Sequence, residues 1–209
     1  MQIMSEKLVL VGASGHGRVI ADIAKKIGYS DIAFLDDNEA VMQCAGYPVL
    51  GRTDTASRYP DRDFLVSIGN ARIRQMLQKR LEQNGLTVVS LIHPSAVIGE
   101  DVTVGSGTVI MAGAVVNPGS VLAEGCIVNT CASVDHDCRI GAYAHVSVGA
   151  HVAGTVEIGQ RTWIGAGATV INNIKIAADC MIGAGAVVVK DITCEGVYKG
   201  VPARRDEGR

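Results

Sequence analysis

The sequence predicts a two-part fold, an α/β unit over residues 1–90 followed by a parallel β-solenoid over residues 91–209. Three patterns point to it. From Ile92 onward every sixth residue is aliphatic, through Ile98, Val104 and Ile110 to Val188, with no slip in phase. A second six-residue register, running Ala96, Val102, Thr108, Ala114, Ser120, Cys126 and on to Ile192, is almost entirely small or β-branched. Before residue 90, short apolar runs alternate with segments of helical period, the order expected of βαβ units.

Bulk composition narrows the function classes. The 209 residues carry 19 Lys and Arg against 21 Asp and Glu, so no basic field marks a nucleic-acid binder. No apolar stretch reaches the length of a membrane span, and the opening MQIMSEKLVLVG runs into a strand rather than a signal peptide. A cytoplasmic location is therefore expected, with the six cysteines as thiols. Aromatic residues make up 4% of a chain that is 48% hydrophobic and holds 25 glycines, so its core must be built of small aliphatics and tight turns.

In the first unit KLVLVG (7–12) reads as a buried strand. A helix follows with Val19, Ile20, Ile23, Ala24 and Ile27 on one face and Gly28 closing it. IAFLDDN (32–38) and DFLVSIGN (63–70) read as further strands. The next helix sets Ile73, Met76, Leu77 and Leu81 inward, and the basic residues Arg72, Arg74, Lys79 and Arg80 read as its solvated face. Gly12-Ala13-Ser14-Gly15-His16-Gly17 joins strand to helix, where a phosphate cradle and a simple tight turn both fit. Asp36 stands where an acid meets a ribose in dinucleotide folds. The spacing is not G-x-G-x-x-G, however, and the unit is about half the size of such a fold. This Rossmann-like, nucleotide-binding reading therefore favours a mononucleotide or nucleotide-sugar over NAD.

The second unit cannot be helical, because a period of 3.6 keeps neither six-residue register on one face. Short strands turning corners satisfy both, with the aliphatic inside and the small residue in the crowded corner. The pattern resembles the hexapeptide-repeat acyltransferases, which implies a left-handed parallel β-helix with three hexads per coil. Seventeen hexads then make nearly six coils, roughly 27 Å tall at the ~4.8 Å strand spacing.

Eight segments together narrow the resemblance: GASGHG, FLDD, SIGNARIR, LIHPSA, NTCASVDHDCRIG, HVSVGA, AGTVEIG and GVPARR. The chain is similar over nearly its whole length to the bacterial nucleotide-sugar acetyltransferases. The group resembled most N-acetylates UDP-4-amino-4,6-dideoxy-N-acetylglucosamine on the way to bacillosamine, and sialic acid O-acetyltransferases and perosamine N-acetyltransferases are its relatives. The resemblance implies acetyl-CoA as co-substrate, no metal, a homotrimer, and a UDP-amino sugar held by the first unit. Ser14, Gly15 and His16 would then meet the phosphates or sugar, Asp36 and Asp37 the uridine, and Gly69 and Asn70 would lie beside them. It also assigns His136 as catalytic base with Asp137 as its acidic partner, and His145, Ala166 and Ala184 to the cofactor groove.

The repeat itself turns His136 outward, between inward Val134 and Ile140. His145 holds an outward slot, with Trp163 in the same slot one coil on. Cys138 falls in the inward register, which leaves a covalent relay no path to substrate. Asp135, His136, Asp137 and His145 lack the spacing of zinc motifs, and adjacent turn residues diverge. General base catalysis remains: a histidine titrates near ~6.5, and a carboxylate on its far nitrogen fixes the tautomer. Aspartate stands where the resembled group has glutamate, one methylene shorter. The competing readings are O-acetylation of a sialic acid, N-acetylation of another nucleotide-linked amino sugar, and a non-catalytic hexapeptide-repeat scaffold or nucleotide-sugar sensor.

Overall fold

The computed structural model describes residues 6–206 and divides into two compact units, Met1–Pro94 and Ser95–Arg209. In the first, β1 (Lys7–Val11), β2 (Asp31–Leu35) and β5 (Asp63–Val66) form a parallel sheet in the order β2-β1-β5. A small hairpin, β3 (Gln43–Cys44) and β4 (Tyr47–Pro48), lies between them in sequence. The strands are nearly continuous apolar runs, as parallel strands covered by helices require. Val9, Val11, Leu35, Phe64 and Val66 form the core with Leu77 and Leu81.

Helices α1 (Gly15–Lys26) and α2 (Ala71–Gln83) occur where expected; α1 keeps Ile20, Ile23 and Ala24 of its marked face inward, whereas α2 is rotated from the face its apolar residues mark. In α1, Gly17, Ile20, Ala21 and Ala24 are buried while Val19 is exposed. A Cβ at Gly17 would collide with the Gly12 carbonyl and meet Phe34 at 3.0 Å, so this helix lies on its strand through a bare glycine. In α2, Arg74 and Gln78 face inward with Leu77 and Leu81, while Ile73 and Met76 are exposed. Arg74 is thus no part of a solvated basic face. Its guanidinium donates 2.9 and 2.8 Å bonds to the carbonyls of Ile68 and Gly69, turning the loop after β5 back onto the helix.

The second unit is a three-sided parallel solenoid of about six turns. Its first wall stacks Val97–Ile98, Val115–Val116, Ser133–Val134, His151–Val152, Thr169–Val170 and Val187–Val188. Its second stacks Thr103–Val104, Val121–Leu122, Arg139–Ile140, Glu157–Ile158 and Lys175–Ile176. The third includes Val109–Ile110, Ile127–Val128, His145–Val146, Trp163–Ile164 and Cys180–Ile182. Residues 18 apart pair in register, Ser133 with His151 and His145 with Trp163. Both sequence registers point inward: Val116, Leu122, Val128, Val134 and Val146 are fully buried, as are Ala132, Cys138 and Ala150. Cys138 hydrogen-bonds inside the coil, and burial pushes its thiol pKa up.

The backbone brings out a third register of period six. Asp101, Cys131, Asp137, Tyr143, Thr155, Arg161, Asn173 and Asp179 all have φ between 55° and 61°. Gly107, Gly113, Gly119, Gly125, Gly149, Gly167 and Gly185 fill the intervening steps. Each coil turns its corners through this left-handed residue, which explains the excess of Gly, Asp and Asn there. Coils also approach too closely for a side chain at some corners: a Cβ at Gly141 would lie 2.6 Å from the Gln160 nitrogen.

Corner packing gives a direct test. Ala168→Leu places extra volume at a fully buried corner and is expected to destabilise by about 1–3 kcal/mol. Ala166→Leu, two residues away at an exposed position, is expected to stay within about 0.5 kcal/mol of wild type in chemical denaturation.

Candidate functional site

Residues 135–138 form the corner between the first and second walls. His136 and Asp137 are exposed, and the His136 Nδ1–H donates to Asp137 Oδ2 at 2.8 Å. The shorter aspartate reaches because it occupies the left-handed corner position, φ 57°, which swings its carboxylate back toward the preceding ring. The bond fixes the proton on Nδ1 and leaves Nε2 as a lone-pair acceptor. Asp135 completes the corner: its Oδ1 accepts from Asn117 Nδ2 at 2.7 Å and from the His136 backbone N–H at 2.8 Å. The bond to Asp137 raises the His136 pKa above its ordinary value, with the charges of Asp135 and Asp137 adding to it. The Asn117 and backbone bonds hold the Asp135 pKa low.

Two glycines that sequence reading passed over shape this pair. A Cβ on Gly154, one coil beyond His136, would lie 2.5 Å from Nε2 and 2.7 Å from Cε1, so the imidazole rests on a bare Cα. A Cβ on Gly119, one coil before Asp137, would lie 2.7 Å from Oδ1. The 18-residue offset was the signal: each member of the pair faces a glycine in the adjacent coil.

His145 occupies its outward slot on the third wall, yet it is only 8% exposed. Trp163 stacks on it, with ring centroids 5.5 Å apart and planes 3° from parallel. Asn129 Nδ2 lies 3.0 Å from its Nε2. The imidazole is therefore held rigidly, with the half-exposed indole as its outer cover. Ala166 and Ala184 are exposed at the corner after the third wall, stacked one coil apart, and the Gly185 N–H donates to the Ala166 carbonyl at 2.9 Å. In a three-sided coil, the corner carrying His136 stands opposite the wall carrying His145. One chain does not bring these two histidines to the same side.

In the first unit the expected residues do converge, at the C-terminal ends of β1, β2 and β5, where open α/β sheets hold ligands. Ser14 is the N-cap of α1 with no side-chain cap bond, and a Cβ on Gly15 or on Gly69 would meet nothing. Asp36 Oδ2 accepts from the Ala13 N–H at 2.7 Å, tying β2 to the glycine loop. Asp37 instead accepts from the Thr53 N–H and hydroxyl, at 2.9 and 3.1 Å. Asn70 caps α2 by accepting from the Ile73 N–H. Burial, with the nearby Arg74 charge, lowers the His16 pKa to about 4, so His16 is neutral at physiological pH. Arg74 is the residue the sequence misplaced. It holds the Gly69 carbonyl and acts electrostatically on His16, and so bears on both the loop after β5 and the start of α1.

Residues 7–81 match the PglD N-terminal domain family, and residues 155–190 match the bacterial transferase hexapeptide family, six repeats. The chain is 30% identical to GDP-perosamine N-acetyltransferase of Escherichia coli O157:H7, over 71% of each protein. It is 34% identical to UDP-N-acetylbacillosamine N-acetyltransferase of Bacillus subtilis strain 168, over 51% of this chain and 52% of that enzyme, about half its length. Among solved structures, the acetyltransferase domain of PglB from Neisseria gonorrhoeae FA1090 in complex with acetyl coenzyme A superposes with a TM-score of 0.93. It is 40% identical, over 96% of this chain and 99% of that one. PerB from Caulobacter crescentus, in complex with CoA and GDP-perosamine, gives 0.92 at 35% identity, over 96% and 97%.

If Gly154 seats the imidazole, Gly154→Ala should push the ring off Asp137. The His136 pKa is then expected to fall toward its ordinary value in a proton NMR titration, with the fold retained. An unchanged titration would show that the seat is not needed.

Proposed function

Because this chain belongs to the nucleotide-amino-sugar N-acetyltransferases, we propose that it transfers acetyl from acetyl-CoA to the amine of a UDP-linked 4-amino-4,6-dideoxy sugar. The observation that carries the reading is the exposed His136–Asp137 pair with its proton fixed on Nδ1. As the sugar nitrogen attacks the thioester carbon, Nε2 takes the proton that the nitrogen sheds, and Asp137 stabilises the resulting imidazolium. The C–S bond then breaks and the proton passes to sulfur, releasing CoA as the thiol. The reading is a direct ternary complex, supported by the burial of Cys138, the thiol nearest His136 in sequence.

His145 supports the cofactor half of this reading. A rigid, mostly buried imidazole beside a stacked indole suits hydrogen bonding to the thioester oxygen, where charge develops during attack. Ala166 and Ala184 would line the same groove with bare backbone. His136 and His145 point from opposite sides of one coil, so their joint action on one acetyl group calls for two copies of the chain. We assign a homotrimer, with each groove between neighbours. In the first unit Ser14, Gly15, neutral His16, Gly69 and Asn70 would receive the nucleotide-sugar, with Asp36 at the floor. Asp37, turned to Thr53, is positioned to order that floor as much as to touch the base.

Purified protein with acetyl-CoA and UDP-, GDP- and dTDP-linked 4-amino sugars is expected to release free thiol fastest with the UDP sugar. His136→Ala should lower kcat by roughly 10²- to 10⁴-fold, and full turnover in that variant would overturn the base assignment. The base acts neutral, so the acid limb of kcat/KM lies at the raised His136 pKa. Asp137→Asn removes the largest raising influence and should shift that limb to lower pH while kcat falls, as a pH-rate profile would read.

A further inference from the structure

The corner that carries His136 is flanked by two walls of opposite character. On the second wall, Arg139, Glu157 and Lys175 form a ladder of alternating charge along a cavity of about 590 Å³, with Lys175 paired to Glu157 at 3.0 Å. On the first wall lies a smaller cavity of about 270 Å³, lined by Asn117, Ser133, Asp135, His151, Ala153 and Thr169. It abuts the base directly, because Asp135 lines it and accepts the His136 N–H, while Ala153 precedes the glycine under the ring. Its polar groups lie in two parallel ladders, Ser133-His151-Thr169 and Asn117-Asp135, spaced about 4.8 Å by the coil. Ser133 and His151 are already joined at 2.9 Å.

Hydroxyls, an amide and an imidazole, carried on a wall whose Val152 and Val170 side chains point inward, make a polar surface suited to the hydroxyls of a sugar ring. The carboxylate is the distinctive element. Both bonds to Asn117 and the backbone fall on Asp135 Oδ1, and both stabilise the charged form. Across the corner the next wall opens with Arg139, and its Glu157 is already paired with Lys175. An aliphatic amine reaches the site as an ammonium, which a hydroxyl never does.

We propose that this first-wall cavity receives the amino-bearing ring of the acceptor and that Asp135 Oδ2 pairs with its ammonium beside His136 Nε2, so that Asp135 selects amines over hydroxyls. The inference rests on the N-acetyltransferase reading and names a residue that reading leaves unused. The protons balance: the ammonium yields one to solvent before attack. His136 takes a second as the N–C bond forms and returns it to sulfur as the C–S bond breaks. The amide keeps the third.

The test compares wild type, Asp135→Asn and Asn117→Ala with whichever nucleotide-linked 4-amino-4,6-dideoxy sugar wild type turns over, and with its 4-hydroxy counterpart as a binding competitor. Asp135→Asn should raise KM for the amino sugar roughly ten- to hundredfold and leave KM for acetyl-CoA unchanged. It should also erase the wild-type preference for the amino over the hydroxy compound in calorimetric binding. Asn117→Ala should do the same more weakly, and thermal melts near wild type confirm that both variants fold. Unchanged amino-sugar binding in Asp135→Asn, or a rise confined to KM for acetyl-CoA, overturns the proposal while the acetyltransferase reading stands. Absence of turnover by wild type with every amino sugar overturns both.

Discussion

The 18-residue coil is the constraint on which everything else in the second unit depends. Because the strand N–H groups of one coil bond to carbonyls of the next, as Ser133 does to Ala150 and Asp135 to Val152, residue identity at one position dictates what stands above and below it. A buried aliphatic core alone would tolerate slippage, since Val, Ile and Leu are nearly interchangeable. The corners do not tolerate it. They demand a left-handed residue every six positions and glycine where coils touch, so the register is set at the corners and the aliphatic core follows.

The His136–Asp137 pair is a product of that register. Asp137 falls on the left-handed step, which lets a short side chain bend back to the neighbouring ring. Gly154 and Gly119 leave the volume the two side chains need. Asp135 bonds one coil back to Asn117 and so anchors the start of the turn. A shift of one residue anywhere in this segment would take Asp137 off the left-handed step and bring the Cys138 thiol out of the core.

Much of this was legible in the sequence. The two inward registers, the outward His136, the alignment of Trp163 with His145 and the three main strands of the first unit were readable from apolar spacing. What escaped reading shares one cause: it depends on polar groups satisfying backbone. Amphipathic patterning placed Val19, Ile73 and Met76 inside, because it weighs only apolarity. The helices instead turn to seat Gly17 on a strand and to deliver Arg74 to two loop carbonyls. His145 read as outward, and its burial under Trp163 needed the ring geometry. The left-handed register was present as recurrent Gly, Asp and Asn but is masked by Cys131, Tyr143, Thr155 and Arg161, which adopt the same backbone.

The central claim is that coil register presents His136 with Nδ1 protonated toward Asp137 and Nε2 open to bound reactants. Nitrogen-15 chemical shifts of the labelled His136 ring in the neutral state report this directly. The account predicts a protonated Nδ1 and a bare Nε2. A ring carrying its proton on Nε2 would contradict it, because such an imidazole has no lone pair to offer an attacking amine.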